Sequence, residues 1–365
     1  MKNTLNVLFL LFAIVINAQA NRPQEPKGPF NYSSENIHFT NYKADSIKLA
    51  GTLTIPENKE KPPVAILVSG SGPQNRNSEL KPFNHSPFLV LSDYLTTHGI
   101  AVLRYDDRGI AESEGHYKTA TSFDFASDVE AAIAYLKTRT DIDTDKIGLI
   151  GHSEGGLIAP IVASRNKDVA FAVLLAGTGV NGAIVLETQS RRAGEIAGVS
   201  KLQLDENEKL TTIIYGIIKS ETNEGIIKSK ITKSLNDYKV NNPNSPLAPY
   251  ITDAMIQQQL AIIKSEWLLN FIRTDPKDFL KKTTCPVLAL NGSKDFQVLP
   301  KMNLEGIKNA LEVAGNKDVT IMELEGLNHL FQTAETGSLQ EYSNIEETFS
   351  PVALEIIKDW ILERF

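Results

Sequence analysis

At 365 residues the chain has room for one large domain or two ordinary ones, and 42% hydrophobic with 22% charged residues is a globular balance. A net charge of -7, a pI near 5.5 and no dense Lys/Arg patch interleaved with aromatics argue against nucleic acid or anionic lipid as the main partner. The single cysteine, Cys285, rules out an intrachain disulfide.

The first twenty residues read as a secretory signal peptide: Lys2, the apolar run Leu8 to Ile16, then the small-residue site Ala18-Gln19-Ala20. The apolar core is too short to cross a bilayer as a stable helix. The mature chain, 21–365, is therefore expected to be exported, periplasmic or secreted, with no stable membrane insertion. Losing Lys2 takes its net charge from -7 to -8.

A polar tether from Asn21 to about Asn36 precedes two alternating segments, "IHFTNYKA" and "IKLAGTLTIP", predicted as antiparallel strands. "PPVAILVSGSGPQNRN" reads as a buried strand ending in a Gly-rich loop. "FLVLSDYLTTHG" reads as a helix stopped at Gly99, and "IAVLRYDDRG" as a strand and loop. In "TSFDFASDVEAAIAYLKTR", Phe125, Val129, Ala132, Ile133 and Leu136 share one helical face. Then come the strand "KIGLIG", the helix "GGLIAPIVAS" and the strand "VAFAVLLAGTG". From about 181 to 276 the alternation breaks into Lys-, Glu-, Ile-, Asn- and Gln-rich helical stretches, "KLTTIIYGIIKS" and "MIQQQLAIIKSEWLLNFI", around the polar "NNPNSPLAP". Strands occur on both sides, so this reads as an inserted helical lid. The strand "CPVLALNG", a helix near Asn303 to Ala314, the strand "VTIMELEG" and a helix opened by Ser350-Pro351 complete the chain. Alternating, near-continuous apolar strands and helices predict an α/β fold with a mostly parallel central sheet and helices on both faces.

The chemistry starts at Gly151-His152-Ser153-Glu154-Gly155, between a strand and a helix. In that context G-x-S-x-G lifts the serine hydroxyl above the sheet on a strained turn. Such a serine needs a base. Of the six histidines, His152 adjoins the serine and His38, His85, His98 and His116 precede the turn. His329, in the loop after the last strand, stands where a base reaches back over the sheet edge. Asp295, in the loop after "PVLAL", meets the position of the acid that orients the imidazole. Asp106, Asp107 and Arg108 read as an exposed loop cluster whose charges pair and brace the edge of the site. Cys285 reads as a buried small hydrophobe. Trp267 and Phe271, one helical turn apart, are candidates for an acyl-pocket wall, with packing inside the lid the alternative. "SGSG" is not a dinucleotide fingerprint, because Asn75 stands where G-x-G-x-x-G needs glycine. No His/Cys/Asp set has metal-ligand spacing.

With the order Ser…Asp…His, the motifs "GSGPQNRN", "LRYDDRGIAESEG", "GHSEGG" and "LNGSKDFQV" resemble those of the α/β-hydrolase superfamily over nearly all of the mature chain. Within it they look like a group of bacterial serine carboxylesterases related to the catalytic domain of prolyl-oligopeptidase-type enzymes. The resemblance implies an α/β-hydrolase fold and a Ser153–His329–Asp295 triad acting on a small-molecule ester without a cofactor. It puts the oxyanion hole at the backbone N–H groups of Ser71, with Gly72 the nearest alternative, and of Glu154. Ser69 stands where many members carry His. A serine peptidase is the alternative activity, disfavoured because the chain lacks room for the large domain that restricts prolyl-oligopeptidase relatives to peptides. A non-catalytic binding protein on the same fold is the remaining alternative.

Overall fold

The computed structural model describes residues 21–365, less the side chain at 262; residues 1–20, expected to be a signal peptide, lie outside the described residues. They form two compact units, 21–180 with 276–365, and 181–275.

The larger unit is built on one eight-stranded sheet in the order β1-β2-β4-β3-β5-β6-β7-β8. Its strands are β1 (Tyr32–Asn41), β2 (Ile47–Pro56), β3 (Val64–Val68), β4 (Ala101–Tyr105), β5 (Ile147–His152), β6 (Val169–Leu175), β7 (Val287–Gly292) and β8 (Val319–Leu324). The β1–β2 and β2–β4 pairs are antiparallel and every other pair is parallel. The helices are α1 (Pro87–Thr97), α2 (Ser122–Leu136), α3 (Gly155–Ala163), α9 (Lys277–Leu280), α10 (Pro300–Val313) and α11 (Pro351–Leu362) in this unit. Those of the smaller unit are α4 (Gly182–Ile196), α5 (Lys201–Ser220), α6 (Glu224–Asn241), α7 (Asp253–Ile262) and α8 (Glu266–Arg273).

Strands β3 to β7 are apolar on both faces, as buried parallel strands must be. Ala65, Leu67, Val102, Ile150 and Val173 point to one face, where they join Leu91 and Leu95 of α1 and Leu354, Ile357 and Trp360 of α11. Alternate residues such as Ile66, Leu103 and Leu149 point to the other, which α2 and α3 cover. Phe125, Val129, Ala132, Ile133 and Leu136 of α2 are all buried.

Three expectations need correction. The 21–36 segment is no tether: Arg22 is 8% exposed and donates to the carbonyls of Phe83, Asn84 and Ile345 at 2.6, 2.9 and 2.8 Å. Gln24 joins it, bonding both the N–H and the carbonyl of Phe349. A run of polar residues predicts a tether, but here the Arg22 and Gln24 donors satisfy loop carbonyls. Second, "MIQQQLAIIKSEWLLNFI" is two helices, because the Ser265 hydroxyl accepts the Leu268 N–H and opens α8 as a new helix. Third, Cys285 is only half-buried, although burial still pushes its thiol up to about 11.

Candidate active site

Ser153 follows β5 with φ of +55°, the left-handed region that costs an L-residue about 1–2 kcal/mol. The strain is imposed by close packing on both sides. A Cβ on Gly151 would lie 2.0 Å from the Gly155 carbonyl oxygen, and one on Gly155 would lie 2.1 Å from that of Val68. Neither position has room for any side chain. The Ser153 N–H donates to the Leu175 carbonyl at 2.8 Å, which extends the β5–β6 ladder into the turn. Helix α3 begins two residues later, so its N-terminal dipole end faces the serine.

Asp295 and His329 lie in the loops after β7 and β8, and they meet. His329 Nδ1 stands 2.8 Å from Asp295 Oδ2, with the side chains 6% and 0% exposed. The other carboxylate oxygen, Oδ1, accepts the N–H groups of Gln297 and Val298 at 2.8 and 2.9 Å. The aspartate is thus locked before it meets the imidazole. The His329 loop is shaped by Asn328, whose Oδ1 accepts the N–H groups of Leu330 and Gln332.

His152 links this pair to the serine turn. Its Nε2 donates to the His329 carbonyl at 2.8 Å, and the two rings lie 4.8 Å apart. Burial, then the neighbouring His329 charge, pushes its pKa down to about 3, so it stays a neutral donor. The sequence showed only that His152 is a poor base; its partner is 177 residues away and invisible in a linear pattern.

The loop after β3 closes on the turn from the other side. A Cβ on Gly70 would come within 3.0 Å of the Ser153 Cβ. Asp107 holds both ends of this loop: its carboxylate accepts the Ser69 hydroxyl at 2.6 Å and the Gln74 N–H at 3.0 Å. Its own N–H donates to the Gln74 carbonyl at 3.1 Å. Burial raises the Asp107 carboxyl to about 7 against these bonds. Ser71 donates its hydroxyl to Glu154 Oε2 at 2.7 Å. Gly72 has φ of +100°, in the left-handed region that favours glycine.

The expected exposed cluster of Asp106, Asp107 and Arg108 is instead buried, at 1, 4 and 7% exposure, and its members do not pair with one another. Asp106 binds Arg76 in a fork, and Arg108 binds Asp128. Charges this deep need dedicated partners, and each finds its own on another segment. Trp267 and Phe271 belong to the smaller unit, where their rings stack 5.3 Å apart. Among the described residues no three His, Cys, Asp or Glu side chains cluster as metal ligands, and no helix is long and apolar enough to cross a membrane.

The chain is 25% identical over 288 residues to esterase EstD of Thermotoga maritima, an alignment that covers 79% of this chain and 59% of EstD. It is 29% identical over 149 residues to the uncharacterized protein YfhR of Salmonella typhi, covering 41% of this chain and 47% of YfhR. It thus spans about half to three fifths of these curated relatives. The Pyrococcus furiosus esterase Pf2001 has the same fold, with a TM-score of 0.54 at 13% identity over 95% of this chain and 98% of that one. So does the α/β-hydrolase GrgF of Penicillium sp. sh18, with a TM-score of 0.53 at 15% identity over 91% and 98%. Residues 86–335, more than half of the chain, match the family model described as serine aminopeptidase, S33, and the chain belongs to this family of α/β-hydrolases.

Proposed function

We propose that the chain is an exported serine hydrolase that cleaves carboxylic esters through Ser153, His329 and Asp295. The observation that carries this reading is the buried His329–Asp295 bond beside a strained serine at the strand-to-helix turn. With Nδ1–H donating to Asp295, His329 Nε2 is left as the base. Ser153 Oγ attacks the ester carbonyl carbon while its proton passes to His329 Nε2. The tetrahedral oxyanion is held by the N–H groups of Ser71 and Glu154. His329 then gives the proton to the departing alcohol as the ester C–O bond breaks, leaving acyl-Ser153. Water adds to the acyl carbon, His329 takes its proton, and collapse returns that proton to Ser153 and releases the acid. Export rests on the pattern of residues 1–20. Residues 181–276 are read as an inserted helical lid, in which Trp267 and Phe271 are either candidates for a pocket wall or packing within the lid itself.

The kinship with EstD favours esters, and the family description keeps amides as the second reading. The deciding experiment compares residues 21–365 with the Ser153→Ala variant on p-nitrophenyl esters from acetate to decanoate and on aminoacyl p-nitroanilides. Ester turnover should fall by about 10³-fold or more in the variant. Ser153-dependent turnover of anilides alone would establish the peptidase. Equal, near-background rates in both proteins would leave a binding protein on a hydrolase fold.

A further inference from the structure

No step above uses the Glu154 side chain, yet it is 3% exposed and sits where three segments converge. Its Oε2 accepts the Ser71 hydroxyl at 2.7 Å, and its Oε1 accepts the Ser122 hydroxyl at 2.6 Å. Ser71 belongs to the loop after β3, Ser122 opens α2 and is fully buried, and Glu154 precedes α3. Oxyanion duty at this position needs a backbone N–H and no particular side chain. A carboxyl group this deep carries a desolvation cost that only the hydrogen bonds it makes can offset.

What those bonds do is specific. Resting on the reading of Ser71 and Glu154 as the two oxyanion donors, we propose that the Glu154 side chain is a positioning group that sets the spacing between them. It ties the residue carrying one donor N–H to the residue carrying the other, and anchors both to the first residue of α2. Asp107 fixes the ends of the same loop at Ser69 and Gln74, and the Glu154 bond reaches its middle, at Ser71 itself. An oxyanion hole works only if its donors are preorganised, and a misplacement of about 1 Å is worth about 10²-fold in rate.

The test compares Glu154→Ala, Glu154→Gln, Ser71→Ala and the Ser71→Ala/Glu154→Ala double variant on one p-nitrophenyl ester, with rates per active site counted by titration with a p-nitrophenyl phosphonate. Glutamine can keep both bonds, because its amide oxygen accepts one hydroxyl while its N–H donates to the other. Glu154→Ala is expected to lower kcat by about 10- to 100-fold with KM little changed, and Glu154→Gln to restore most of it. Ser71→Ala should match Glu154→Ala, and the double variant should be no worse than either. Affinity for a transition-state analogue such as an alkyl boronic acid should fall in step with kcat/KM. If Glu154→Ala does not fold, Ser71→Ala and Glu154→Gln carry the same comparison. Full kcat per titrated site in Ser71→Ala or Glu154→Ala, whatever happens to Tm, overturns the positioning role and leaves a structural crosslink. Absence of Ser153-dependent turnover in the wild-type chain overturns the hydrolase reading itself, and this proposal with it.

Discussion

Asp295 accepts three hydrogen bonds on two oxygens, and only one comes from His329. The backbone pair at Gln297 and Val298 holds the carboxylate in place whatever the histidine does. Exchanging it for an amide keeps the shape but puts an N–H donor against a donor on one side. We therefore expect Asp295→Asn to lower kcat by about 10³- to 10⁴-fold with a small change in KM, measured on the preferred p-nitrophenyl ester. At this scale Ser153, Asp295 and His329 were legible as candidates from chain order and loop position, and the structure brings the last two together. The supporting residues were not. Asp107 and Arg108 looked like exposed loop charges because base rates for charged residues say so, and only the folded chain supplies the Ser69, Gln74 and Asp128 that bury them.

At the scale of elements, the turn between β5 and α3 is fixed by contact and not by hydrogen bonds alone. Gly151→Ala would drive a methyl group into the Gly155 carbonyl at 2.0 Å, and both belong to regular elements that cannot shift independently. The expected loss exceeds about 3 kcal/mol, read as a lower urea midpoint or as failure to recover soluble protein. The strands flanking this turn were legible because parallel strands buried on both faces read as unbroken apolar runs. Helices of the 181–275 unit were less so. Their ends are set by short-range caps, such as Asn223 and Ser265, that a periodicity reading passes over.

At the scale of the whole molecule, two buried imidazoles make the fold sensitive to acid. His85 is fully buried, with ring nitrogens against Thr348 Oγ1 and the Tyr342 carbonyl, and burial lowers its pKa to about 4. His152 is lowered to about 3. In the unfolded chain both sit near 6.5, so between about pH 6.5 and 4 the unfolded state binds more protons. Their contribution is fully present above pH 6.5 and drains away as pH falls through that window. Asp107, raised to about 7, acts in the opposite sense, so the clean measurement is a difference. The gap in stability between wild type and His85→Gln, from urea unfolding, should be larger at pH 7.5 than at pH 5. An unchanged gap would mean that His85 is not neutral in the folded state.

The docking of Arg22 and Gln24 has a practical side. A recombinant chain trimmed to its first strand would begin near residue 30 and would look complete by secondary structure. It would also strip three loop carbonyls and the start of α11 of their donors and acceptors, beside the two segments that carry His85 and Tyr342. Two of the first four residues after the expected cleavage point, Arg22 and Gln24, are thus working parts of the fold. Purification tags belong at the far end, after Phe365, or behind a spacer that leaves Arg22 free to reach its carbonyls.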